Sequence, residues 1–506
     1  MRIVLPSGIV GYKEAARDAF TQLAGTGRTF QRHGVVVELR STNADSWALD
    51  IVTPDGLRSK IEGVADLYAW RIGAHGENLL KPGARMSQDV AKVFLASDEV
   101  SLLPPITGIH NSPILICEAT QVPALLTKGY HQHGGGRLVT GGQCPVMTSV
   151  AEARAALLLL IEEFDFTTPM DRSRAIAAIL TPAMRFGGLL VSHIPVFVAE
   201  ANDSQAGKGA LLETSQLIYN EIPSFVTQKS SGGVGGLDEA LSQALVNGRP
   251  FVQLDNFRGN LGSTFFEALL TCPLHGTVPA RVPHKAEIQV DPSRFIFHLS
   301  SNGFTTTRDL ANRACIVRIK KRPGFAFRQF PEGDLLAHIK ANQPRYLGAV
   351  LSIVNEWLIA GRPRTADLRG QGRFRDWAQV LDWIIQHLML LPPLMEGHEA
   401  AQERASNPAL AWLREVCLAL ERETRLGVEI TASEIADISA EHELDIPGLL
   451  PNAVEEKIRT RIGCIMAKAF GAADSMDAED FTLTRTVTIA ENGKTQKKYV
   501  VHRSSQ

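Results

Sequence analysis

The sequence predicts an α/β protein built on a P-loop core, with a mixed, β-rich N-terminal domain before it and a C-terminal winged-helix domain after it. Three observations carry this expectation. Ala206-Gly207-Lys208-Gly209 lies between the apolar run 189–199 and the helical pattern 210–218. A second strand-like run, Pro250-Phe251-Val252-Gln253-Leu254, ends in Asp255-Asn256. A third, 294–299, ends in Ser301-Asn302-Gly303 and leads into Asp309-Leu310-Ala311-Asn312-Arg313. Nucleoside triphosphate hydrolysis needs a phosphate cradle, a metal-holding acid, a water-orienting polar group and a charge-neutralising arginine, and the three runs supply them in order.

At 506 residues the chain exceeds what one core supports. Composition divides it into an N-terminal mixed α/β domain (1–148), an ATPase domain with flanking helices (149–395), a linker (396–408) and a tail domain (409–506). Hydrophobic and charged fractions of 44% and 21% are ordinary, and a formal charge of −2 leaves nucleic-acid contact to local basic patches. The six cysteines, Cys117, Cys144, Cys272, Cys315, Cys417 and Cys464, are scattered without a Cys-x-x-Cys pair. They read as unpaired thiols of a reducing compartment, and with no signal-peptide pattern the expected location is cytoplasmic. The greasy stretch 380–395 is interrupted by Asp382, Gln386, His387 and a proline pair, so it reads as a buried helix and no membrane contact is expected.

In the N-terminal region the runs 34–39, 48–53 and 67–72 are β-branched or aromatic and predict strands. Glycine-rich turns at 134–136 and 141–142 close it. Helical patterns then cover 150–164 and 171–180, the latter started by Asp171. After the ATPase strands come helical segments at 333–338, 347–359 and 374–391. The tail shows a helix at 409–422, a second from Thr431 with Glu434 in the capping-box position, and a third at 452–470. Strands at 481–490 and 495–503 flank Glu491-Asn492-Gly493-Lys494, a strong hairpin signal. Three helices and a hairpin predict a winged helix; a small α+β packing domain is the alternative.

The phosphate loop is expected over Asn202, Ser204, Gln205, Ala206, Gly207, Lys208, Gly209 and Ala210, where backbone N–H groups and a helix N-terminus meet the anion and Lys208 adds a point charge. It departs from the usual pattern twice: Asn202 stands at the first glycine, and Gly209 replaces the hydroxyl residue that binds magnesium, leaving a water or Ser204 as substitute. Asp255, at a strand end, is the expected holder of a hydrated Mg2+. Asn256 beside it can orient a water but accepts no proton at neutral pH, so the base is open among Glu200, Asp238 and Glu239, and a slow, degenerate ATPase is a live alternative. Asn302 is placed to hold the attacking water. Arg308 and Arg313 are the candidate fingers, with Arg313 favoured because it follows Asp309 by four residues on one expected helix face. Between the second and third strands, extended runs surround Val282-Pro283-His284-Lys285, with Arg281 just before. A hairpin tip of this kind holds a single strand through His284 and Lys285, or is a plain surface hairpin.

With these residues in view, the chain resembles the replicative helicases of prophages and other mobile genetic elements, AAA+ ATPases related to superfamily 3 and MCM-like helicases. The resemblance lies in AGKG (206–209), LDNFRG (254–259), SNGFTTTRDLANR (301–313), VRIKKRPG (317–324), the segments 357–361 and 374–377, and GYHQHGGG (129–136). It covers roughly 100–383 and is loose elsewhere. It implies an AAA+ core, a hexameric ring, dependence on ATP and Mg2+, and translocation on single-stranded or forked DNA, with origin DNA or other replication proteins as further partners. His131 and His133 read as structural for want of a third ligand. In the tail, Arg461, Lys497 and Lys498 are the expected DNA contacts of a recognition helix and wing, diluted by Glu455 and Glu456. The alternatives to a helicase are a nucleotide-assembled DNA-binding initiator or scaffold and an AAA+ activator of a protein partner.

Overall fold

The computed structural model describes residues 2–7, 9–43, 46–117, 122–201, 205–227, 236–257, 260–274, 276–281, 287–322, 324–366, 368, 372–444, 446–449, 454–478, 480–489 and 495–504. The chain divides into two compact units, Met1–Phe257 with Ser263–Asn302 and Cys315–Met395, and Arg258–Gly262 with Gly303–Ala314 and Glu396–Gln506.

Near the start of the first unit, after the strand Arg2–Val4, the helix Tyr12–Ala24 buries Ala15, Ala16, Ala19, Phe20 and Leu23 on one face. The three expected strand runs lie in Val35–Asn43, Ser46–Ile51 and Asp66–Ile72. Val35–Asn43 pairs antiparallel with both Thr29–Arg32 and Ser46–Ile51. Asp66–Ile72 pairs parallel with Arg2–Val4 and antiparallel with Asn78–Pro82. Residues 1–148 share one compact unit with the central sheet rather than standing as a unit of their own.

The centre of this unit is a six-stranded sheet. In chain order its elements are β1 (Asp165–Phe166), α1 (Pro169–Phe186), β2 (Val196–Ala201), α2 (Lys208–Ile218), β3 (Ser224–Val226), α3 (Leu237–Asn247), β4 (Phe251–Phe257), α4 (Thr264–Thr271), β5 (Ile296–Asn302) and β6 (Ala314–Lys320). The sheet order is β1-β6-β2-β5-β4-β3. β2, β5, β4 and β3 run parallel, and β1 closes the edge antiparallel to β6. Every residue of β2 is buried, as expected of a central strand in a parallel sheet covered on both faces. The fold is α/β, as the sequence predicts.

Helix α1 differs from its sequence reading at the start. Thr168, not Asp171, is the N-cap: its hydroxyl accepts from Asp171 N at 3.2 Å, and the Asp171 carboxylate accepts from Thr168 N at 3.0 Å. Asp171 also takes Arg318 N at 3.0 Å and pairs with buried Arg174 at 2.8 Å, fastening α1 to β6. The run read as a buried helix, 380–395, is helical only to His387, as the end of the helix Arg375–His387, whose Trp377 donates to Thr181 Oγ1 at 3.0 Å. No described helix is long and apolar enough to cross a membrane.

In the second unit a short parallel ladder, Asn260–Leu261 with Thr305–Thr306, precedes the four-residue helix Arg308–Ala311. Residues 396–408, read as a linker, instead carry the helix His398–Ser406, which buries His398, Ala401, Arg404 and Ala405; polar composition hid an amphipathic turn pattern. Helices Pro408–Arg422, Ala432–Glu441 and Glu455–Phe470 come next, the second with the expected Thr431–Glu434 capping box. The hairpin Phe481–Ile489/Thr495–Arg503 is extended on both sides by Ser475–Ala478 and Glu429–Thr431, two strands too short to be legible. Trp412, Leu413, Ile435, Ile462, Phe481 and Tyr499 form its core.

Candidate active site

The β2–α2 connection needs a sharp turn between a buried strand and a helix. Gly207 makes it with φ +93°, and a Cβ there would meet the Phe164 ring at 3.0 Å and Phe327 at 3.3 Å. Both the left-handed backbone and the aromatic wall exclude a side chain. Gln205 also has positive φ, at +61°. Lys208 opens α2, is 8% exposed, and its ammonium donates to Asn302 Oδ1. Ala210 lies in the same first turn, whereas Asn202 and Ser204 fall outside the described residues.

Register explains why Lys208 and Asn302 meet. β2 and β5 are neighbours in parallel, with Ala201 opposite Asn302, so the loop after one strand and the last residue of the other share one sheet edge. β4 flanks β5 on its other side, in register through Leu254 opposite Leu299, then shifts so that Phe257 faces Ser301. Asp255 and Asn256 sit in this irregularity. Asn256 adopts φ +46°, a left-handed backbone that asparagine tolerates far better than glutamate. Its N–H donates to Ser300 Oγ at 2.7 Å, and the Ser300 hydroxyl donates to Asp255 Oδ1 at 2.7 Å. Asp255 is exposed, and Ser300 is its one hydrogen-bond partner among the described residues, which leaves a carboxylate oxygen facing outward.

Two participants escaped the sequence reading. Ser300 was hidden within an apolar strand. Glu213 lies one helical turn beyond Gly209, and an ideal Cβ on Gly209 would sit 3.9 Å from its Oε1. Partial burial, then the nearby carboxylates of Asp255 and Asp334, push the Glu213 carboxyl above the ordinary range. The i, i+4 spacing from the glycine that displaces the usual hydroxyl was the available signal. Of the three base candidates, Glu200 is buried within β2 and Asp238 accepts from the Ser263 hydroxyl at 2.7 Å; Glu239 lies in the first turn of α3.

The residues fit a triphosphate with a hydrated metal. A helix N-terminus and a lysine would face the anion, and one outward carboxylate oxygen would suffice for Mg2+, which keeps several waters when bound by proteins.

Arg308 and Arg313 belong to the second unit. Arg308 starts the helix that ends at Ala311, so Arg313 lies beyond it and shares no helix face with Asp309, contrary to the sequence argument. The extended runs around the expected hairpin tip are Val278–Ala280 and Ile288–Val290, paired antiparallel. Arg281 is exposed at their end; His284 and Lys285 lie outside the described residues. In the tail, Arg461 donates to Pro447 O at 2.7 Å, Lys498 pairs with Glu429 at 2.7 Å, and Lys497 is exposed.

No family model matches the chain, and no curated protein sequence matches it. Solved structures similar to it include the apo C-terminal region of NrS-1, with a TM-score of 0.38 and 12% identity over 96% of this chain and 99% of that one. SCCmec type IV Cch, an active helicase, aligns with TM-score 0.31 and 10% identity over 90% and 82% of the two chains. JCV helicase in a small-molecule complex aligns with TM-score 0.21 and 11% identity over 51% and 71%. Scores and identities this low establish no shared function.

Proposed function

We propose that the chain binds ATP with Mg2+ beyond the carboxyl ends of β2, β5 and β4 and hydrolyses it, acting as a ring-forming, AAA+ type DNA helicase of a prophage or mobile element. The observation that carries the reading is the Lys208–Asn302 contact. It joins a helix-opening lysine after a parallel strand to a polar group on the neighbouring strand, where open α/β sheets bind their ligands. Mg2+, which Asp255 would hold, would supply neutralisation of the phosphate charge. Lys208 holds the terminal phosphate by its point charge, and the first turn of α2 presents its N–H groups to the same anion. Asn302, released from Lys208 by that phosphate, turns its amide to the attacking water. Asp255 keeps its orientation through Ser300. Partial burial, and then repulsion from Asp255 and Asp334, raise the Glu213 carboxyl, which makes it the group of this cluster suited to take up a proton. Arg313 completes the site from a neighbouring subunit, and the tail, read as a winged helix, contacts DNA through Lys497 and the helix Glu455–Phe470.

Lys208→Ala abolishes DNA-stimulated ATP hydrolysis and strand displacement while single-stranded DNA binding persists. Full hydrolysis by that variant removes the assignment. A second reading, a scaffold that binds nucleotide only to assemble on DNA, is favoured by two departures: Gly209 lacks the hydroxyl, and Asn256 cannot serve as a base. Multiple turnovers with single-stranded DNA present decide against the scaffold; a single stoichiometric binding event decides for it.

A further inference from the structure

The glycine turn at 134–136 has no part in the nucleotide site, yet it covers an unusual group of charges. Arg137, in the strand Arg137–Val139, is 3% exposed. Its guanidinium lies against the turn: an ideal Cβ on Gly134 would be 3.0 Å from Nε and 3.1 Å from Nη2, and one on Gly188 would be 3.8 Å from Nη2. Nη1 is buried with no hydrogen-bond partner, and Arg137 has no ion pair among the described residues. Burial, and then the repulsive charges of Arg294 and Arg185, pull its pKa down to about 10. Arg294 spends Nε on Asp291 at 3.1 Å and reaches Gly134 O with Nη2 at 3.4 Å. Arg185 is buried and donates to Leu190 O and Ser192 O. The buried His110 ring is kept neutral by burial and by Arg137 and Arg294, so it offers no counter-charge, and its Nδ1 is also without a partner among the described residues.

A buried guanidinium without a counter-charge loses its hydration uncompensated, and among the described residues no carboxylate pairs with this one. A planar guanidinium fork is matched by a tetrahedral oxyanion, which accepts two parallel hydrogen bonds and brings the missing negative charge. Gly134 and Gly135 are exposed, and the Arg294 side chain is 25% exposed, so the approach is through the turn. Gly136, with φ +96°, admits no side chain, since a Cβ would fall 1.9 Å from Pro105 O; the turn therefore keeps its shape over the arginines.

We propose that Arg137, with Arg294 and Arg185, forms a phosphate-binding site beneath the Gly134–Gly136 turn, built from elements other than the loop that carries Lys208. The ligand is a phosphate group, either free or at the end of a nucleic-acid strand.

The test uses the full chain carrying Lys208→Ala, so that the first site does not dominate, and follows melting temperature and calorimetric titration with inorganic phosphate. The parent binds one phosphate and melts higher as phosphate rises. Adding Arg294→Gln, a change at a partly exposed side chain, weakens phosphate binding by about tenfold or more. Adding Arg137→Met removes the phosphate-dependent rise without lowering the melting point in phosphate-free buffer, because a buried unpaired charge has gone. In a second arm, 5′-phosphorylated and unphosphorylated oligonucleotides compete for the site: preference for the phosphorylated strand assigns a nucleic-acid end, and displacement by inorganic phosphate alone assigns a free ligand. Neither phosphate nor phosphorylated strand binding the parent overturns the proposal, as does an unchanged affinity in the Arg294→Gln chain.

Discussion

Gly207 and His298 show how single residues set the limits of the site. Gly207→Ala forces a Cβ toward Phe164 in a backbone conformation that alanine disfavours. The expected loss is about 1–3 kcal/mol of stability, read as a lower urea midpoint. His298 lies beneath the site, where its Nδ1 meets Gln216 Nε2 at 3.0 Å and Gln216 donates to Gln253 at 2.6 Å. The amide therefore fixes the neutral Nε2–H tautomer, and burial lowers the His298 pKa to about 3. The unfolded chain takes up a proton near the ordinary 6.5 while the folded chain does not. Its contribution is thus full above that value and is lost as pH falls toward about 3, with a slope near 1.4 kcal/mol per pH unit. His298→Asn keeps an acceptor in place of Nδ1 and removes the titration. Urea midpoints of the variant fall less steeply than those of the parent between pH 6 and about 4; equal slopes refute the assignment.

At the scale of elements, the β4–β5 register explains both what was legible and what was not. The order of strand, loop and helix, and the placement of Lys208 at a helix start and of Asp255 and Asn302 toward strand ends, follow from apolar runs that stop at polar residues, a pattern a linear sequence displays. The irregularity after Leu254 is a property of two paired strands and leaves no local trace, so the sequence does not single out Ser300, and Asn256 reads as a group that orients a water but cannot accept its proton. The conformation at Asn256 accounts for the residue type: φ +46° suits asparagine, and a glutamate there would strain the turn. The Arg313 argument failed for the same reason in reverse, since a four-residue spacing is helical only where the helix continues, and this one ends at Ala311. Ser300→Ala removes the bridge between Asn256 N and Asp255, which loosens the carboxylate without touching its charge. The Mg2+ concentration needed for half-maximal nucleotide binding rises by roughly tenfold, while binding of nucleotide without metal stays unchanged. Asn302→Ala leaves that metal dependence alone and lowers the turnover rate by roughly 10²-fold, the loss typical of one polar group acting in the transition state.

At the scale of the whole molecule, the proposed nucleotide site draws Lys208, Asp255 and Asn302 from the first unit. Arg308 and Arg313 reside in the other unit, on a short helix and the turn after it. If Arg313 completes the site of a neighbouring copy, the two halves of the machinery are separable by mutation and recoverable by mixing. Lys208→Ala and Arg313→Ala chains are each inactive alone, the first unable to hold the phosphate and the second unable to neutralise its neighbour's. In a ring assembled from equal amounts of both, an interface works when an Arg313→Ala chain supplies Lys208 and a Lys208→Ala chain supplies Arg313. Random head-to-tail assembly makes about a quarter of interfaces of this kind, so ATPase activity returns to roughly that fraction of the parent rate. Subunits that act alone, with Arg313 serving its own nucleotide, show no recovery at any mixing ratio. A chain whose finger is Arg308 instead keeps most of its activity in the Arg313→Ala variant and shows the mixing recovery only when Arg308→Ala is the partner.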